Sequence, residues 1–236
     1  VIKAAWGILT AGLVVAGCGG EEAARAPARA ITIFAAASLR DVMTEISAEW
    51  TRRGGEPPRL RFEASSVLAR QIREGAPADL FVSASPEWVT EVQPLSRADW
   101  MGNRLVLVVR RDAPDADLEN LESLAMAAPQ VPAGRYARAA FAHLGIEIPR
   151  RTIYGSNVRD VLATVSEGGA GAGIVYATDA AIDPEVRISF TFPPASHPPI
   201  VYSIGLLTEE GRGFFNAMQE PWAVEIARRH GFTERR

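Results

Sequence analysis

Apolar, strand-like runs that turn within a few residues into helical periodicity recur along this chain. That alternation restricts it to α/β architectures. The first case is residues 33–43, IFAAASLRDVM. The run over residues 31–34 meets three alanines and Ser38. Leu39, Val42, Met43, Ile46 and Trp50 then share one face of a helix over residues 39–53. Strand-like segments at 60–62, 78–84, 103–111, 173–177 and 200–207 continue the pattern, with helical ones at 66–74, 134–145 and 157–169. Residues 208–232 read as two helices broken near Pro221. Mainly parallel sheets in two lobes are expected, with segment 103–111 leading from one lobe into the other. Lobe 1 takes residues 31–107, completed by 204–236, and lobe 2 takes residues 108–203.

Small and hydroxyl-bearing residues gather where the helices begin: at Ser38, at Ser65 or Ser66, near Ala133 and near Val158. In open α/β sheets ligands bind beyond the carboxyl ends of the strands. A helix start there offers free N–H groups and a positive dipole end, which suits an anion. Each start also has a plain capping explanation, Ser38 with Asp41 and Asn157 with Asp160. Taken singly, capping is the stronger reading; four such starts spread over both lobes point to an anion site.

Other chemistry is thin. His143, His197 and His230 have no metal-ligand spacing, and no nucleophile elbow, P-loop or dinucleotide fingerprint occurs. Asp41, Glu45 and Glu49 read as a solvated helix face. Apolar residues make up 47% of the 236, enough for a substantial core, and a net charge of −3 with no basic block argues against a nucleic-acid partner. Residues 1–17 carry Lys3 and a short apolar stretch, too short to span a bilayer, that ends in VAG before Cys18, the single cysteine. This resembles a bacterial lipoprotein signal, which implies lipidation of Cys18, export, and anchoring at the periplasmic or outer face of a membrane. Residues 18–30 read as a flexible tether.

FAAASL, SSVLARQI, GAPADLFVSA, NRLVLV, VPAGRYA, NVRDVL, GIVYATDA and ARRHGF appear in this order from residue 31 onward. Together they resemble the molybdate-binding proteins of bacterial ABC importers. The resemblance implies a two-lobed periplasmic-binding-protein fold, class II-like, closing on a tetrahedral oxyanion. It implies molybdate or tungstate as ligand, no cofactor, no catalysis, a membrane permease as partner, and a monomer. Carried over residue by residue, the molybdenum oxyanion's contacts fall on Ser38, Ser65, Ala133, Val158 and Tyr176. Ser65 rather than Ser66 follows from its distance to Leu-Ala-Arg-Gln. Glu63 and Ala64 stand where the family often has small or serine residues, which brings a charge toward the cleft. The segment between Ala133 and Val158 is shortened. Three rivals accompany this reading: a sensor or adhesion lipoprotein that kept the fold without the ligand, a receptor for another tetrahedral oxyanion such as sulfate, and an enzyme using Ser38 or Ser65 as nucleophile. The last requires a histidine base that the matched blocks are not expected to supply.

Overall fold

In the computed structural model, which describes Val1 and residues 29–234, the chain builds two five-stranded sheets, each packed against helices. Cys18, nearly all of the signal segment and most of the tether lie outside the described residues. Arg29, assigned to the tether, already belongs to the fold: its guanidinium donates to the buried Asp79 carboxylate at 2.6 and 3.0 Å.

β1 (Thr32–Ala36) passes through a 3₁₀ turn, Ala37–Leu39, into α1 (Arg40–Arg52). β2 (Arg59–Glu63), α2 (Ser65–Arg73), β3 (Leu80–Ser83), α3 (Pro86–Glu91) and β4 (Ser96–Gly102) follow. β1 pairs in parallel with β2 and β3. Leu39, Val42, Met43 and Ile46 are buried beneath α1, as the periodicity requires.

The chain then crosses through residues 103–104 to the second sheet. There it forms β5 (Leu105–Arg110), β6 (Leu124–Ala127), α4 (Pro132–Leu144), β7 (Thr152–Gly155), α5 (Val158–Ser166), β8 (Ala172–Tyr176), α6 (Ala177–Ala180) and β9 (Val186–Thr191). The strand order is β7-β6-β8-β5-β9. Val158, Val161, Leu162 and Val165 of α5 are buried. Each such apolar side chain contributes about 1.5–3 kcal/mol of burial. After residues 192–200 the chain returns. β10 (Val201–Leu206) enters between β3 and β4, giving the first sheet the order β2-β1-β3-β10-β4. α7 (Arg212–Ala217) and α8 (Pro221–Arg229) close against this lobe, with Phe214 edge-on to Trp50 of α1 at 5.5 Å.

Two expectations are corrected. The sheets are mixed rather than mainly parallel: β10 runs antiparallel to β3 and β4, and β5 antiparallel to β8 and β9. Both strands arrive directly from the other lobe, without the crossover helix that a parallel partner needs. The crossings also move. Leu105–Arg110 lies wholly in the second sheet and Val201–Leu206 wholly in the first, so the chain changes lobe at 103–104 and 192–200, not after 107 and 203.

Candidate functional site

Six strands, β1, β2 and β3 from the first sheet and β6, β7 and β8 from the second, lead at their carboxyl ends into one narrow cleft between the lobes. Ser38 lies in the 3₁₀ turn after β1, and Ser65 is the first residue of α2. Ala133 lies in the first turn of α4, Val158 opens α5, and Tyr176 ends β8. All five line the same narrow cavity, together with Ala36, Ala37, Ala64, Ala84, Val131 and Asn157. None of these lining residues carries a charge. The five candidates are between 1% and 4% exposed, so the cleft is shut.

The opening alanines can now be explained. Ala36 and Ala37 form part of the wall, and a larger side chain there would fill the space. α4 comes equally close to its own strand. A Cβ on Gly134 would stand 2.3 Å from the carbonyl oxygens of both Ala127 and Ala128, so only glycine lets the start of α4, and Ala133 with it, sit this low.

Three hydroxyls, those of Ser38, Ser65 and Tyr176, belong to the lining residues. The Ala84 N–H donates to Ser65 Oγ at 3.0 Å, which leaves the Ser65 proton free. Ser38 Oγ lies 2.9 Å from the Tyr202 hydroxyl. The Tyr176 hydroxyl is buried with no hydrogen-bond partner, and burial raises its pKa well above the ordinary phenol range, so it keeps its proton. No side chain caps the starts of α2 or α4. At α5 the Asn157 side chain accepts from the Arg159 and Asp160 N–H groups at 2.8 and 3.2 Å, and not from that of Val158. Hydroxyls and helix N-termini thus meet where no acceptor carboxylate lines the wall. Such a site can hold a small, fully deprotonated oxyanion.

Polar contacts bridge the lobes on both sides of the cavity. Arg159 of α5 donates to Asp179 of α6 at 2.7 Å and to Asp41 of α1 at 2.6 Å. Burial works against the Arg159 charge, but Asp179 and Asp41 outweigh it and hold its pKa above the ordinary value. Asp179 is fully buried, and that burial pushes its carboxyl up to about 6 despite the guanidinium beside it. On the other side the Tyr136 hydroxyl of α4 donates to the Ala84 carbonyl at 3.3 Å, and Arg135 meets Glu87 of α3 at 3.3 Å.

Several readings from sequence are amended here. Asp41 does not cap Ser38, nor is it merely solvated; it takes Arg159 across the cleft. Glu63 is half-buried and Ser66 buried, and neither is among the residues lining the cavity. A histidine does occur in a matched block, His230, but it bonds Glu45 at 2.7 Å on the outer side of α1 and α8. No histidine is among the lining residues. Asn103, Arg159 and Tyr202 were not anticipated. A larger groove between α1 and α8 is lined by Glu45, Glu49, Arg52, Arg53 and Arg229, whose charges pair with one another and leave no free cation for an anion.

Residues 31–233 match the family model described as bacterial extracellular solute-binding protein. The chain is 34% identical to the molybdate-binding protein ModA of Escherichia coli (strain K12), covering 86% of this chain and 88% of that protein. It is 32% identical to YvgL of Bacillus subtilis (strain 168), described as a putative ABC transporter substrate-binding lipoprotein, covering 95% of each. Among solved structures, the periplasmic molybdate-binding protein of Azotobacter vinelandii aligns over 87% of this chain and 100% of its own. That alignment has a TM-score of 0.76 and 20% identity, a likeness of fold.

Proposed function

As the chain belongs to the bacterial extracellular solute-binding proteins, we propose that it captures molybdate, and tungstate with it, and delivers the anion to the membrane permease of an ABC importer. The observation that carries this reading is the Tyr176 hydroxyl, buried, protonated and without a partner in a wall that otherwise presents serine hydroxyls and uncapped helix starts. An unpaired buried hydroxyl costs about 1–3 kcal/mol, and a bound oxyanion relieves that cost. Ser38 and Ser65 donate from the first lobe; Ala133, Val158 and Tyr176 donate from the second. The anion therefore joins the lobes, and each hydrogen bond to its charge contributes about 1.5–3 kcal/mol.

A wall of donors selects by protonation. Hydrogenphosphate carries a proton that needs an acceptor, and the lining offers no carboxylate to take it. Sulfate is unprotonated but smaller, so its oxygens leave some donors unmet. The lining holds no histidine to activate Ser38 or Ser65, which supports a binding role over nucleophilic catalysis. Calorimetric titration with molybdate, tungstate, sulfate and phosphate tests the proposal: tight binding of the first two and weak or absent binding of the others is expected, and preference for sulfate or phosphate overturns it.

Export and anchoring through Cys18 belong to the same proposal, motivated by VAGC at residues 15–18. Cys18→Ser is expected to give a soluble or unprocessed form. A variant that is still cleaved and partitions into detergent like the parent refutes lipidation of this cysteine.

A further inference from the structure

We propose that Asn103 and Tyr202 are positioning residues that fix Ser38 as a donor toward the cleft, and that this relay sets the discrimination against protonated oxyanions. The inference rests on the oxyanion reading above and adds to it two residues outside the cavity wall.

Proton counting along the chain of hydrogen bonds leads to it. The Arg104 N–H donates to Asn103 Oδ1 at 2.9 Å, which fixes the way the amide faces. Turned over, its NH₂ would meet that N–H, donor against donor. The Asn103 NH₂ therefore points at two hydroxyls, Thr178 Oγ1 at 2.9 Å and Tyr202 Oη at 3.3 Å. Tyr202 Oη, accepting from Asn103, has one proton left to give, and its other neighbour is Ser38 Oγ at 2.9 Å. Tyr202 is fully buried, and burial raises its pKa, so that proton is always present. Ser38 Oγ thus accepts from behind, and its own proton turns to the cleft. Ser65 is set the same way by the backbone N–H of Ala84, which no side-chain exchange short of proline removes. The Ser38 relay runs through side chains and can be reversed.

Asn103→Asp reverses it. A carboxylate accepts from Tyr202, Tyr202 then has no proton for Ser38, and Ser38 donates backward while its lone pairs face the anion. Titrations of the parent, Asn103→Asp, Tyr202→Phe and the double variant with molybdate, sulfate and phosphate near neutral pH test this, with thermal melts as the folding control. Asn103→Asp is expected to weaken molybdate and sulfate about tenfold to a hundredfold while phosphate binding is held or improved. Adding Tyr202→Phe frees the Ser38 proton again and is expected to bring molybdate back to within about threefold of the Tyr202→Phe single variant. An equal loss for all three anions, unrelieved by Tyr202→Phe, means that the added charge acts alone and overturns the proposal. If Asn103→Asp folds poorly, Asn103→Leu removes the donor without a charge. It is expected to narrow the molybdate-to-phosphate preference by about threefold, and only when Tyr202 is present; an unchanged preference counts against the relay. A parent that binds no molybdate refutes the oxyanion reading itself, a result distinct from any of these.

Discussion

Removing a single oxygen, in Tyr176→Phe, separates binding from packing. The ring would keep its edge-on contact with Tyr202, 6.0 Å between centroids, so the core is not hollowed. The lost hydroxyl has no partner among the described residues, and Tyr176 lines the cavity. In the liganded protein it would give one charge-assisted hydrogen bond, about 1.5–3 kcal/mol, so molybdate affinity should fall roughly tenfold to 150-fold. In the ligand-free protein there is no such bond to lose, and the melting temperature should stay level or rise slightly. The stabilisation conferred by excess molybdate should shrink by the same free energy, a reduction of roughly 3–12 °C in the ligand-induced shift for a chain of this size. Isothermal titration and paired melts with and without ligand measure both quantities on one preparation. A variant that loses ligand-free stability yet keeps its affinity refutes the reasoning, since the hydroxyl would then be a structural group.

Three further outcomes are expected. Ligand donors divided between two lobes require closure on binding, so small-angle scattering should give a smaller radius of gyration with molybdate; an unchanged profile at saturation contradicts the hinge. Gly134→Ala drives a methyl group against two backbone carbonyls and should lift the start of α4, costing about 1–3 kcal/mol of stability in melts and weakening molybdate in titrations. Arg159→Met strips the fully buried Asp179 of its counter-charge and should cost about 3–5 kcal/mol at pH 8 by denaturant titration. Asp179 would then hold its proton in the native state to a pH above 6 while the unfolded chain releases it near 3.8, so the deficit should shrink as pH falls from 8 toward 4; a deficit that grows instead contradicts the assignment.

What could be read in the sequence was what is local. Helices α1 and α5 declare themselves by their apolar faces, and the residues at the helix starts by the abrupt change from an apolar run to alanine or serine. The unread strands lack such signals. β4, SRADWMG, has Arg97 and Asp99 interrupting its apolar residues and holds its place by pairing with β10, whose residues come about a hundred positions later. β6 is four short residues, LAMA, too brief to tell from a helical fragment. α3 did carry a signal, Ser85 followed by Pro86, that went unused. At the site, the five positions that line the cavity were legible because each sits on its own helix start or strand end. Asn103, Tyr202 and Arg159 were not, because their contacts with Thr178, Ser38 and Asp41 join residues 75 to 164 positions apart. No spacing or periodicity encodes that.

β10 has a consequence for biosynthesis. Every strand of the second sheet lies within residues 105–191, whereas the first sheet needs residues 201–206 to join β3 to β4. As the chain emerges N-terminus first, Leu80, Phe81 and Val82 of β3 form an apolar edge that waits for more than a hundred further residues. The lobe begun first is therefore the one finished last, and any stop before residue 201 leaves a bare strand edge exposed to other chains.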